Sequence, residues 1–240
     1  MSWWETWFGE EYLELYPHRD EEAARRETEF ALARLPDDPG PLLDLCCGRG
    51  LHSIPLLERG VKAVGLDWSA PLLTLARSRH ENFAAVRGDM RQLPFAAGAF
   101  RSVVNFFTSF GYFLRETENA AVLSEIERVL TRGGRFLCDT FGLAQVLATL
   151  VPEQSFGSGD RHYRVTRHWN ADTRRIEKQI EVRRAGSTAT FRESVRAYTA
   201  EELCALLSGA GLRIDGLWGD FDGRPHAPDA PRLIVLASKP

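Results

Sequence analysis

The chain has 240 residues, a hydrophobic fraction of 44%, a charged fraction of 26% and a formal net charge of −3, which describes an ordinary folded chain able to bury a sizeable core and argues against a general nucleic-acid binder. No run approaches the ~18 apolar residues of a membrane span, and the N-terminus lacks the basic and apolar regions of a secretion signal. The four cysteines, Cys46, Cys47, Cys138 and Cys204, form no C-x-x-C pair and read as small buried residues of a cytoplasmic protein, with no metal framework.

The N-terminal stretch is aromatic. Trp4, Phe8, Tyr12 and Tyr16 recur every four residues, which places them on one stripe of a helix. That helix packs on the main domain or covers a ligand site. Pro17 interrupts it, Arg19 follows in a turn, and a second helix from about Asp20 to Leu35 stops before Pro36-Asp37-Asp38-Pro39-Gly40.

Alternating units follow. A strand at Leu42 to Cys46 runs into Gly48 and Gly50 and then a helix from Leu51 to Arg59. A second strand, Val61 to Leu66, ends at Asp67, and Ser69 caps a helix reaching about Arg79, with Pro71 in its first turn. Strands near Ala84 to Arg87 and Arg101 to Asn105 come next, then a helix from about Glu118 to Leu130, stopped by Gly133-Gly134, and a fifth strand at Arg135 to Asp139. This alternation predicts a mostly parallel sheet with helices on both faces. Its ligand crevice belongs at the carboxyl ends of the strands, where Asp44, Asp67, Asp89, Asn105 and Asp139 fall.

From about His162 to Tyr198 the period changes to two, with Tyr163, Val165, Ile176, Ile180, Val182, Phe191 and Val195 alternating. Three antiparallel strands are expected here, inserted after the fifth parallel strand. The insertion is basic, with ten Lys or Arg against five Asp or Glu between 160 and 196; these are the solvated outer faces of strands or a lid over an anionic substrate. Thr199 and Glu202 have capping-box spacing for the next helix, and strands at Leu212 to Trp218 and Leu233 to Ala237 complete a seven-stranded sheet. One domain is expected: a helical cap over 1–39, a cofactor-binding core over 40–150, the β insertion over 156–198, and a C-terminal helix with two strands over 199–240.

The chemistry concentrates at the strand ends. The Gly48 to Gly50 turn lets backbone approach a ligand closely. Asp67 can accept from two ribose hydroxyls, Trp68 offers a flat face to a purine, and Asp89 can accept from an exocyclic amine. That set fits either a nicotinamide dinucleotide or S-adenosylmethionine. Asp44 inside the first strand, the Gly88-Asp89-Met90 segment and the VLTRGGR run (129 to 135) separate the two.

Through DLCCGRG, GLDWS, RGDMRQLPF, VVNFFTSFGYF and VLTRGGRFLCD, in this order, residues 40 to 140 resemble the class I S-adenosylmethionine-dependent methyltransferases, and the chain is similar to their branch acting on metabolites and sugar amines. The resemblance implies the Rossmann-like fold of that class and S-adenosylmethionine as methyl donor, with no metal expected. It implies that Asp44, Cys46 and Gly48 line the methionine end, that Asp67 holds the ribose, and that Trp68, Asp89 and Met90 surround the adenine. Phe106 would face the sulfonium. Tyr12 and Arg19 match an N-terminal segment that closes over the methionine carboxylate. Tyr112 stands where sugar-amine relatives carry a His, and is the candidate substrate contact.

The expected reaction is methyl transfer to a small molecule by in-line displacement. The end of the fourth strand, Asn105-Phe106-Phe107-Thr108, is not the Asn/Asp-Pro-Pro-Tyr/Phe of amino-directed nucleic-acid enzymes, and there is no Pro-Cys for cytosine C5 chemistry. The alternatives are a methyltransferase acting on RNA or protein, and a cofactor-binding regulatory protein without turnover. A monomer and a homodimer are both compatible with the sequence.

Overall fold

The structure is a computed structural model that describes residues 2–16 and 20–240. The first parallel strand, β1 (Leu42–Leu45), is buried on both faces. It pairs in parallel with β2 (Ala63–Asp67) on one side and β4 (Phe100–Asn105) on the other. β3 (Ala84–Arg87) flanks β2 and β5 (Leu130–Phe141) flanks β4, both in parallel. The last strands, β10 (Arg213–Trp218) and β11 (Arg232–Ser238), complete the order β10-β11-β5-β4-β1-β2-β3, with β11 antiparallel to both neighbours. The chain moves outward from β1 through β2 to β3 and then crosses back to β4. The switch point therefore lies between β1 and β4, where an open α/β sheet parts to admit a ligand.

Side chains alternate across the sheet with period two. Leu43, Val103, Phe136 and Val235 face the core that includes Val122, Ile126, Leu203 and Leu207, the apolar positions of α6 (Glu116–Val129) and α8 (Ala200–Gly209). Their neighbours Leu42, Val104, Leu137 and Ile234 face the other core, with Phe30, Ala31 and Leu56 from α3 (Glu21–Leu32) and α4 (Ser53–Glu58). The caps are those the sequence names. Asp20 accepts from the Glu22 N–H, and Ser69 accepts from the Leu72 N–H to open α5 (Ala70–Arg79). Thr199 and Glu202 form the reciprocal box of α8. Pro55 sits in the first turn of α4, where its missing N–H costs nothing.

Three expectations need correction. The N-terminal stripe is not one helix: α1 (Trp3–Trp7) and α2 (Glu10–Leu15) are separated at Phe8-Gly9. Gly133-Gly134 do not stop α6, which passes at Val129 directly into β5; the glycines make a bulge inside that strand. The insertion has four antiparallel strands, not three, in the order β6 (Glu153–Ser158), β7 (Arg161–Asn170), β8 (Arg175–Arg184) and β9 (Ser187–Arg196). β6 carries one large apolar side chain, Phe156, and sits at the sheet edge, so no alternation marks it. A short helix, α7 (Leu143–Thr149), joins β5 to the insertion and was also not anticipated.

The cap and the insertion share a core. Trp7, Tyr12 and Leu15 pack with Tyr163, Val165, Ile180 and Val182. The Trp7 indole N–H donates to Glu193 on β9 (2.6 Å), the Trp3 indole N–H to the Tyr112 carbonyl (3.4 Å), and the Ser69 hydroxyl to the Phe8 carbonyl (2.5 Å). The aromatic cap thus bridges the two sheets across the end of the parallel one.

Candidate functional site

At the switch point the backbone takes conformations that side chains resist. Among the described residues, Cys46, Phe107, Thr108 and Arg174 are the non-glycine residues with positive φ. Cys46 follows β1, and Phe107 and Thr108 follow the end of β4 by two and three residues. Each such conformation costs on the order of 1–3 kcal/mol and persists only where its surroundings enforce it. Here the enforcement is visible. The Phe107 N–H donates to the Asp139 carboxylate (2.8 Å) and the Thr108 N–H to the Asp139 carbonyl (3.0 Å). Arg232 clamps the same carboxylate through Nε (2.7 Å) and Nη2 (2.6 Å). The Asn105 amide donates to the Leu45 carbonyl (2.9 Å), tying β4 to β1. Asp139 and Asn105 are therefore scaffold: both are buried, and their polar groups shape the two loops.

Three cavities meet there. The first, about 660 Å³, runs along the ends of β1, β2 and β3 and is lined by Gly48, Asp67, Trp68, Asp89 and Met90. The second, about 520 Å³, lies beneath the glycine turn against Asp44, Arg49, His52 and Phe106. The third, about 800 Å³, opens toward the insertion and includes Tyr16, Tyr112, Lys178 and Glu193. Tyr12 and Phe107 line all three.

In the first cavity, Asp67 accepts from the Gly48 N–H and the Ser69 N–H, both at 2.8 Å. Burial pushes its carboxyl up, against these backbone donors. Each oxygen keeps capacity for a further donor. Gly48 has φ +54, and a Cβ added there would meet nothing closer than Leu72 at 3.8 Å; it is the left-handed turn, and not crowding by the protein, that asks for glycine. Trp68 stands edge-on to Trp4 of the cap, ring centroids 5.1 Å apart. Asp89 is not a bare acceptor: Arg91 grips it through Nη2 (2.6 Å) and through its backbone N–H (2.8 Å). Burial raises the Asp89 carboxyl, but the Arg91 contacts outweigh it and hold the group below its ordinary value. Cys46 places its sulfur 3.6 Å from that of Met90. Burial, reinforced by Asp67, Asp44 and Asp89, raises its thiol far above the usual range, so it stays neutral and is no nucleophile.

In the second cavity, Asp44 accepts from the Ser53 hydroxyl (2.5 Å). Burial lifts its carboxyl to about 6, against the pull of His52 and Ser53. His52 pairs with Glu27 of α3 (2.6 Å) and stacks on Phe106 at 4.1 Å. Phe106 is thus buried between strand and helix, and its neighbour Phe107, 44% exposed, is the ring that reaches the meeting point of the three cavities.

The third cavity depends on residues far apart in sequence. Tyr112 packs between Trp3 (4.9 Å, edge-on) and Phe8 (5.9 Å, stacked). Its loop is clamped from β8 by Arg175, buried, whose guanidinium donates to the carbonyls of Phe113 (2.9 Å), Gly111 (2.9 Å) and Tyr112 (3.1 Å) and to Ser194. Gly111 has φ +93, and a Cβ there would come within 2.8 Å of the Arg196 carbonyl, so no other residue fits. On the facing wall Lys178 Nζ donates to Glu193 and to the Tyr16 hydroxyl, both at 2.5 Å.

The structure brings Tyr12, Asp44, Cys46, Gly48, Asp67, Trp68, Asp89, Met90, Phe106 and Tyr112 around these connected cavities; Arg19 lies outside the described residues. The sequence reading missed Arg175, Lys178 and Glu193. A period-two pattern reports which strand positions are buried, but not that Lys178 and Glu193 oppose each other across β8 and β9.

The chain matches the family described as a methyltransferase domain over residues 42–134. It is 27% identical over 209 residues to the cypemycin N-terminal methyltransferase of a Streptomyces species, covering 85% of each chain. It is 30% identical over 193 residues to the dTDP-3-amino-3,4,6-trideoxy-alpha-D-glucopyranose N,N-dimethyltransferase of Streptomyces venezuelae, covering 76% of this chain and 79% of that one. The fold superposes on the CcbJ methyltransferase from Streptomyces caelestis with a TM-score of 0.82 over 98% of both chains, at 20% identity.

Proposed function

The chain belongs to the S-adenosylmethionine-dependent methyltransferases, and from that membership we propose that it methylates a small-molecule acceptor, with cap, core and insertion working as one domain. The observation that carries this reading is the convergence of three cavities on Tyr12 and Phe107 at the switch point. Two of them suit a donor with a nucleoside end and an amino-acid end, and the third suits an acceptor. S-adenosylmethionine supplies an activated methyl on a sulfonium, so the chain's own task is mainly alignment and exclusion of water.

On this reading Asp67 accepts from the ribose hydroxyls with the lone pairs left by Gly48 and Ser69, and Trp68, Asp89 and Met90 form the adenine pocket. Asp44, Cys46 and Gly48 flank the methionine end, where Asp44 supplies negative charge to an ammonium. Phe106 supports that end from behind through His52. Tyr12 sits where the donor cavities meet the acceptor cavity, and Arg19 is the candidate for the donor carboxylate. Tyr112 borders the acceptor. The Streptomyces venezuelae relative acts, by its name, on an amino sugar, which supports a small-molecule acceptor. The cations of the insertion support the same choice. Arg164 pairs with Glu153, Arg174 with Glu202, Arg196 with Glu116, and Arg175 is spent on carbonyls, which leaves a poor track for a phosphate backbone.

Calorimetry with S-adenosylhomocysteine is the direct test, and absence of binding by purified protein overturns the reading. Release of S-adenosylhomocysteine from S-adenosylmethionine across a metabolite panel then tests transfer. Tight binding with no turnover on any acceptor, and a stable co-purifying partner, would instead support a regulatory role.

A further inference from the structure

The acceptor cavity has a chemical character of its own. Its apolar walls are Trp3, Phe8, Phe107, Tyr112, Phe141 and Ile176, with the phenols Tyr12 and Tyr16 beside them. Among the described residues lining it, Lys178 and Glu193 are the charged ones. They are paired at 2.5 Å, with side chains only 16% and 17% exposed. Glu193 also accepts from the Trp7 indole (2.6 Å) and the Tyr16 hydroxyl (3.3 Å). The pair is thus internally neutralised and held by the cap. An ammonium carries three donors, and Glu193 and Tyr16 take two of those of Lys178. One N–H is left for a single acceptor atom.

A phosphorylated ligand demands something different. A diphosphate brings several negative charges and needs cations, helix N-termini or arrays of N–H groups. Three arginines of the insertion are committed elsewhere: Arg175 to the 111–113 loop, Arg196 to Glu116 and Glu202, Arg174 to Glu202. A flat apolar body, by contrast, meets ring faces and edges from several directions.

We propose that the acceptor is an unphosphorylated molecule with a planar or otherwise apolar body and one polar handle, seated among Trp3, Phe8, Phe107, Tyr112 and Ile176, with the handle at the Lys178–Glu193 pair. This rests on the assignment of the third cavity to the acceptor. It sets the protein apart from its sugar-nucleotide relative, because among the described residues lining the cavity the charges are paired with each other.

The test uses the full chain saturated with S-adenosylhomocysteine and three probes: tyramine, thymidine diphosphate and glucosamine 6-phosphate. Ligand-observed NMR and calorimetry should show tyramine binding at least about tenfold more tightly than either phosphorylated probe, the gap expected for two favourable ring contacts. Ile176→Glu places a charge in the apolar wall and should abolish tyramine binding while S-adenosylhomocysteine affinity stays within about twofold. Ile176→Leu, which keeps the wall apolar, should retain tyramine binding and guards against a folding defect. Stronger binding of either phosphorylated probe, or tyramine binding indifferent to Ile176→Glu, overturns the proposal. So does absence of tyramine binding to the saturated protein. Because every arm starts from bound S-adenosylhomocysteine, a protein that fails to bind it condemns the methyl-transfer site itself, and a failure with it bound condemns this proposal alone.

Discussion

On the proposed assignment, the donor and acceptor halves of the site are built on opposite plans. The donor half draws most of its polar residues from one run of chain, Asp44 to Asp89, in or close to the ends of parallel strands, with Tyr12 and Phe106 joining from outside it. Its charges are buried carboxylates satisfied by nearby N–H and O–H groups: Asp67 by Gly48 and Ser69, Asp44 by Ser53. The acceptor half brings together Trp3, Tyr112, Ile176 and Glu193, from four elements far apart in sequence, and its charges cancel within a side-chain pair. One half is specified by local backbone geometry that polar groups enforce. The other is specified by how an aromatic cap and an inserted sheet dock. A donor shared with relatives and an acceptor that differs among them is the division of labour such a construction permits.

The comparison predicts that single changes in the donor half act on donor binding, and the largest belongs to Asp67. Asp67→Ala removes the acceptor proposed for two ribose hydroxyls and leaves the Gly48 and Ser69 N–H groups without their partner. Hydrogen bonds to a charged group contribute about 1.5–3 kcal/mol each, so affinity for S-adenosylhomocysteine should fall by roughly a thousandfold in calorimetry. An unchanged affinity would remove Asp67 from the ribose and break the donor assignment.

The same division explains how much could be read without coordinates. The parallel strands, their order in the chain and the strand-end aspartates were legible, because a doubly buried strand leaves a run of apolar residues and its exit leaves a turn signal. The break at Phe8-Gly9 was not, since a four-residue spacing continues through a gap between two short helices. Which of the adjacent rings Phe106 and Phe107 turns outward was not legible, because residue identity says nothing of it. That choice is made by Asp139, 32 residues away, when it holds the Phe107 N–H. Arg175 looked like one cation among ten. Only the fold shows it is buried and serving the 111–113 loop.

Arg175 gives the next largest effect, and on the other half. Arg175→Ala strands the carbonyls of Gly111, Tyr112 and Phe113 in a buried place. The cost should be about 3 kcal/mol in denaturant unfolding, or on the order of 10 °C in melting temperature for a chain of this size. Arg175→Lys should recover little of it, because an ammonium cannot fork to several carbonyls in one plane. Donor affinity should fall far less than with Asp67→Ala. If it fell as far, the two halves would be one cooperative unit and the comparison would be wrong.

Asp44 sharpens the comparison through pH. Its carboxyl, raised by burial to about 6, is ionised at neutral pH and protonated in mild acid. A donor whose amino-acid end carries an ammonium binds better to the ionised form. Affinity should therefore be flat above about pH 7 and fall as pH drops through about 6, approaching tenfold per unit for one proton. In Asp44→Asn the fall should disappear, leaving a weak affinity with little pH dependence between 5 and 7. A slope that survived this substitution would assign the titration elsewhere.

The smallest effect is the most discriminating. Lys178→Met removes one partner of the Lys178–Glu193 pair but leaves Glu193 two donors, the Trp7 indole and the Tyr16 hydroxyl. Stability should drop by about 1 kcal/mol, the upper end for pairs near a surface, because the carboxylate keeps hydrogen-bond partners. A double-mutant cycle with Glu193→Gln should return a coupling of similar size, since removing both charges leaves neither stranded. Affinity for S-adenosylhomocysteine should stay within about twofold in every member of the cycle, because Lys178 and Glu193 border the acceptor cavity and neither donor cavity. If the pair were instead coupled to the donor through Tyr16, which borders the second and third cavities, donor affinity would follow the cycle and the boundary between the halves would move to that tyrosine.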